Sequence, residues 1–180
     1  MNGLSHSELC VRAVRWLRGT KRCNPAFSGN ASCSEIPDAI GWSADGSIVV
    51  ECKTSILDFY GDEQKYVRWK FKDAPWPCIY KERKLYINGK YVGGEKDRYE
   101  RVVLPNMGDY RYFMCEPGII EKEHMEKYPG HGLVHVINQR CKVILPATQR
   151  EAPNLAAEIR YLRFAIVNGY CCRRADAEGL

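Results

Sequence analysis

The chain has 180 residues, 45% of them hydrophobic and 27% charged, with a formal net charge of +5. That is an ordinary globular composition, long enough for one domain with a core of its own or one domain carrying an insertion. No apolar run is long enough to span a bilayer, and the nine cysteines, an odd count, exclude full internal pairing. The mild positive charge permits a polyanionic partner without demanding one.

The opening MNGLSHSELC lacks the basic-then-apolar order of a signal peptide, so a cytoplasmic chain with reduced thiols is the expectation. Ser5 or Ser7 can cap a helix that runs to about Arg18, with Gly19 as its stop. Leu9, Cys10, Ala13, Val14, Trp16 and Leu17 fall in one sector of that helix, which predicts packing on a core. Residues 20–33 read as a loop, and 34–55, SEIPDAIGWSADGSIVVECKTS, as a hairpin. A helix is expected over about Leu57 to Phe71, with Gly61 inside it. Residues 73–106 differ in character: Pro75, Pro77, many Lys and Arg, and KLYINGKYVGG with a strong Asn88-Gly89 turn predict an inserted β-hairpin. Strands are expected at 110–115, 132–137 and 141–145. A last helix covers roughly Pro153 to Val167, with Leu155, Ile159, Leu162 and Ile166 at helical spacing.

The hairpin raises a physical question, because charges in a sheet core are costly unless paired or bound to a metal. With Asp45-Gly46 as a two-residue turn, Ala44 pairs with Ser47 and Asp38 lies opposite Lys53. Glu51 and Lys53 then share one face, and Asp38 sits on that face diagonal to Glu51. Two carboxylates offer hard oxygen ligands suited to Mg²⁺. A lysine beside them can orient or deprotonate a water, or neutralise charge developing on a phosphate. The trio describes metal-assisted hydrolysis of a phosphodiester.

Pro37-Asp38, followed by Glu51-Cys52-Lys53 at the end of a Val-rich strand, resembles the PD-(D/E)XK, or restriction-endonuclease-like, nuclease superfamily. ECKTSILDFYGDEQKY, with GDYRYFMCEPGII and GHGLVHV, is similar to small bacterial and phage members of DNA-repair type, among them the MmcB-like group. The resemblance implies an α/β fold with an α-β-β-β-α-β core and a mixed sheet, here a single domain over 1–180 with the insertion at 73–106. It implies Mg²⁺ or Mn²⁺ as cofactor, held by Asp38, Glu51 and the carbonyl of Cys52, with Lys53 as the catalytic lysine. DNA would be the substrate and a 5′-phosphate the product end, in phage or bacterial DNA processing or repair. Many such nucleases cut duplexes as homodimers.

The family often adds an acid from the first helix, and Glu8 is the candidate metal ligand. At about 100° per residue, however, Glu8 lies nearly opposite the apolar sector. It can equally be a first-turn acid paired with Arg12. Lys65 and Arg68, among aromatic neighbours, and Lys81, Arg83, Lys84 and Lys90 of the insertion are candidates for phosphate contact. An amphipathic helix with its aromatics in the core explains 65–72 as well. His131 and His135 have a zinc-like spacing but no closely spaced Cys or acid pair to complete four ligands, so ordinary strand histidines are expected. No cysteine has a recognisable base partner in the sequence, and the thiols are expected to fill the core and loops. The functional expectation is a metal-dependent deoxyribonuclease. Its rivals are a catalytically inactive nucleic-acid-binding protein of the same fold and a non-nuclease protein whose charged trio is a structural ion-pair cluster.

Overall fold

The computed structural model describes residues 3–29, 36–62 and 106–167 with their side chains, and the backbone of 69–71, 78–81, 84–87, 90–93 and 99–101. The chain is an α/β protein built on a six-stranded mixed sheet of order β1-β2-β3-β9-β10-β11. These strands are Ala26–Ser28, Ala39–Ser43, Gly46–Cys52, Tyr110–Cys115, Gly132–Ile137 and Arg140–Leu145. β1, β2 and β3 run as an antiparallel meander, β3 and β9 are parallel, β9 and β10 are parallel, and β11 closes antiparallel. The expected strands at 110–115 and 132–137 stand as read.

Helix α1, His6–Gly19, starts as its sequence dictates. Ser5 is the N-cap, and Glu8 completes a capping box by accepting from Ser5 N at 2.8 Å. Its buried residues, Leu9, Ala13, Trp16 and Leu17, pack against Ala26, Ala39, Ile48, Val50, Cys52, Tyr112, Met114 and Val134 on one sheet face. Strand alternation sends Val49, Glu51 and Lys53 to the opposite face. There Val49 joins Phe27, Ile40 and Tyr161 of the last helix, α3 (Leu155–Val167). Further along that face, Phe59, Phe113 and Tyr128 meet edge to face, with centroids 4.9 to 5.0 Å apart, over Leu133 and Ile120.

Several expectations are corrected. Residues 20–33, read as a loop, contain strand β1, whose Phe27 pairs with Ile40 of β2. The β2–β3 register has Ser43 opposite Gly46 and Ala39 opposite Val50, so Ala44-Asp45 is the turn and Asp38 falls level with Glu51 instead of Lys53. Gly46 is needed inside the strand: its φ is +123°, and a Cβ there would stand 2.6 Å from Asp109 Oδ2. The shift is by two residues, so residues within the strands keep their faces. The Asp38 carboxylate, just before β2, is the exception, reaching His6 on the α1 side instead of sharing a face with Glu51 and Lys53.

The helix expected over 57–71 is also shorter. α2 covers Ile56–Gly61, and Trp69–Phe71 is instead strand β4, antiparallel to β8 (Tyr99–Arg101). Residues 60–105 form a compact unit of their own, beginning earlier than the expected insertion at 73 because β4 belongs to it. Within it β5, β6 and β7 (Cys78–Lys81, Lys84–Ile87, Lys90–Gly93) make a three-stranded sheet. Ile87 pairs with Lys90, as a turn at Asn88-Gly89 requires.

In α3 the apolar stripe faces outward except at Leu162, which packs against the Phe27–Tyr161 cluster. Leu155, Ile159 and Ile166 are 58%, 65% and 63% exposed, while Ala157, Glu158, Tyr161 and Ala165 are buried. The reason is Glu158, whose carboxylate accepts from Trp42 Nε1 at 3.0 Å, Ser47 Oγ at 2.9 Å and Gly108 N at 2.8 Å. A buried carboxylate so satisfied sets the rotation of the helix, the alanines allow close approach, and Tyr161 stacks on Phe27. Tyr161→Ala is therefore expected to cost about 3–5 kcal/mol in urea denaturation, against about 0.5 kcal/mol or less for Ile159→Gln. Equal effects of the two would contradict this orientation.

Candidate active site at the end of strand β3

The C-terminal end of β3 gathers the charges that the sequence singled out. Asp38 stands immediately before β2, and its Oδ2 accepts the backbone N–H of Cys52 at 2.7 Å. The carboxylate is thereby drawn across the strand end. There it meets His6 of α1, with Nε2 and Oδ2 at 3.3 Å and Asp38 only 22% exposed. In an extended strand the N–H and C=O of one residue point the same way, so the Cys52 carbonyl faces the Asp38 side, while Lys53 N turns to Met114 O of β9.

Glu51 and Lys53 lie on the face of α3 and are both buried. Glu51 Oε1 accepts from Arg111 Nη2 at 3.3 Å, and Arg111 Nη1 donates to Met107 O at 2.8 Å. Arg111 stands opposite Val49 in the β3–β9 ladder, one step back from Glu51 on the same face, which is why the two meet. Lys53 Nζ reaches Asp58 Oδ1 at 3.6 Å; Lys53 is 2% exposed and Asp58 45%. Asp58 sits in the first turn of α2, where its N–H is capped by Ser55 Oγ. It is thus a first-turn acid of α2 and in addition the counter-ion of Lys53.

Glu8, a candidate ligand, is directed elsewhere. Its Oε2 takes both the N–H and the hydroxyl of Ser5, at 2.8 and 2.6 Å, and these bonds hold its carboxyl below the ordinary glutamate range. The first helix instead sends His6 and Cys10, one turn apart, to Asp38. His6 Nδ1 lies 3.6 Å from Cys10 Sγ, and the three ligand atoms lie within 4.8 Å of one another. Cys10 is hydrogen-bonded by the Cys52 thiol, which lowers its pKa and raises that of Cys52; the Asp38 and Glu51 carboxylates oppose the shift at Cys10.

Lys81 ends β5, Lys84 opens β6 and Lys90 opens β7. Their side chains, and the whole of Lys65, Arg68 and Arg83, lie outside the described residues. His135 is an ordinary buried strand histidine, its Nε2 hydrogen-bonded to Ile120 O at 2.8 Å. His131 precedes the strand and stacks on Phe113 at 5.6 Å. Cys10, Cys23, Cys52, Cys115 and Cys141 are free thiols among the described residues. Burial pushes Cys23 up to about 11 and Cys115 up to about 12, so neither is a nucleophile near neutral pH.

No family model matches the chain, and no curated protein does. It is similar in structure to a protein of unknown function from Silicibacter pomeroyi. The identity is 15%, the TM-score is 0.49, and the match covers 98% of this chain and 97% of that one. Among the described residues, no helix is long and apolar enough to cross a membrane.

Sequence reasoning missed His6, Cys10, Arg111 and the second role of Asp58. A signal existed for three of them. His6 and Cys10 have the i, i+4 spacing of one helix face. Arg111 alternates with Tyr110 and Tyr112 in a strand otherwise fit for the core.

Proposed function

We propose that the chain is a metal-dependent nuclease of the PD-(D/E)XK class, hydrolysing DNA phosphodiester bonds. The observation that carries this reading is the 2.7 Å bond from Cys52 N–H to Asp38 Oδ2. It ties the carboxylate before β2 to the strand end at which Glu51 and Lys53 stand. The order of helix, three-strand meander, helix and parallel strand is in keeping with that class.

The donors suit a hard divalent ion: the Asp38 and Glu51 carboxylates and the Cys52 carbonyl are all oxygen. Since Arg111 already balances Glu51, Mg²⁺ or Mn²⁺ would rest chiefly on Asp38. Bound there, the ion would supply Lewis-acid stabilisation of charge on the scissile phosphate. Lys53, a cation held in place by burial and by Asp58, would orient the attacking water or offset that charge. The Lys81, Lys84 and Lys90 strands are proposed to follow the DNA backbone, and a homodimer is the proposed assembly on duplex DNA.

The test is incubation of supercoiled, linear and single-stranded DNA with Mg²⁺ or Mn²⁺. Wild type is expected to cut, and Asp38→Asn to cut at least about 100-fold more slowly. Absence of cutting by wild type with every metal would sink the proposal. The alternative is a catalytically silent nucleic-acid-binding protein. One observation favours it: Glu51 and Lys53 each have an internal partner of opposite charge, Arg111 and Asp58. It expects salt-dependent DNA binding without metal and without cleavage.

A further inference from the structure

The His6, Cys10 and Asp38 group is not part of the ligand set just described, apart from the shared aspartate, and its chemistry differs. We propose that His6, Cys10 and Asp38 form a binding site for a zinc-class transition-metal ion, with three protein ligands and an open fourth position.

Three kinds of donor, an imidazole nitrogen, a sulfur and a carboxylate oxygen, come within 4.8 Å of one another. In a tetrahedral site with bonds of about 2.0–2.3 Å, ligand atoms stand about 3.3–3.7 Å apart. The His6 Nε2 to Asp38 Oδ2 separation of 3.3 Å already has that value. Only the half-exposed His6 ring and the Cys10 side chain need to adjust. Sulfur and imidazole select zinc-class ions over Mg²⁺, which takes oxygen.

The frame is rigid. His6 and Cys10 are one turn apart on α1, the Ser5–Glu8 capping box fixes the start of that helix, and the Cys52 N–H fixes the carboxylate as outer-shell donors do. His6 at 50% and Asp38 at 22% exposure leave an entry path.

The same residues invite comparison with a thiol nucleophile and its base. In such a triad, however, the thiol and the acid lie on opposite sides of the imidazole, each on its own nitrogen. Here too Cys10 Sγ lies 3.6 Å from Nδ1 and Asp38 Oδ2 lies 3.3 Å from Nε2, but the sulfur and the oxygen are on one side of the ring, within 4.8 Å of each other, so the three donors close a triangle. A closed triangle is the arrangement of a chelate.

The inference stands apart from nuclease activity, and its test uses no DNA. The reduced, metal-stripped full chain is titrated with Co²⁺, and sulfur-to-cobalt charge transfer is followed in the near ultraviolet. A band saturating at one equivalent is expected, displaced by Zn²⁺. Cys10→Ser should abolish the band, and His6→Gln, at an exposed position that folding tolerates, should weaken Co²⁺ affinity about tenfold or more. A Cys171→Ser/Cys172→Ser variant should keep it. Zn²⁺ should raise the Tm of wild type but not of His6→Gln. No band in wild type, a band that persists in Cys10→Ser, or equal affinity in His6→Gln would overturn the site. If Cys10→Ser does not fold, His6→Gln alone decides.

Discussion

Replacing Arg111 with leucine is expected to lower stability by about 3–5 kcal/mol, read as a fall in the urea midpoint with an unchanged m-value. The cause is what remains. Glu51, 5% exposed, loses its guanidinium, and the Met107 carbonyl loses its 2.8 Å donor while keeping Arg150 Nη1 at 3.4 Å. A carboxylate left buried beside Phe113 and Val49 must ionise at a high cost or take up a proton. The double variant Glu51→Leu/Arg111→Leu removes both charges and is expected to recover much of the loss, since an ion pair of this kind contributes little beyond an apolar pair of similar volume. The cycle of single and double variants measures the coupling directly. An Arg111→Leu protein as stable as wild type would show that Glu51 is not held as a buried ion.

Lys53→Met is expected to do the reverse, sparing stability and removing activity. Methionine matches most of the lysine volume, and the partner left behind, Asp58, is 45% exposed and stays hydrated. The stability change should therefore remain within about 1 kcal/mol, against a loss of about 100- to 10,000-fold in DNA cleavage. Cleavage at the wild-type rate would remove Lys53 from the reaction. A large loss of stability would instead make its burial beside Asp58 structural, favouring the silent binding protein.

Much of the architecture is local chemistry and was legible in the sequence. Ser5 caps α1 because its hydroxyl can serve an orphan N–H, and Glu8 answers it within the same turn. The strands at 110–115 and 132–137 declare themselves through apolar content. Ile87 pairs with Lys90, the register that the Asn88-Gly89 turn signal predicts. Parity along β3 put Glu51 and Lys53 on one face whichever turn joined it to β2.

What the sequence left open were choices made by distant partners. Asp109 accepts the Ser47 N–H and fills the place of a Gly46 side chain, next to the turn at Ala44-Asp45. Tyr99–Arg101 draws Trp69–Phe71 into a strand that periodicity read as helix. The buried partners of Glu158 rotate α3 until its most apolar stripe faces water. The site divides in the same way. Asp38, Glu51 and Lys53 were visible as a pattern, but Arg111 comes from a strand 60 positions away and His6 from a helix on the other face of the sheet. Local rules act through neighbouring backbone hydrogen bonds and side-chain period, so the sequence by itself determined the first helix, the central strands and which residues of one strand share a face. The partner of each buried charge depends on which elements pack together, and only the tertiary structure decided that Asp38 answers to His6 and Cys10 while Glu51 answers to Arg111.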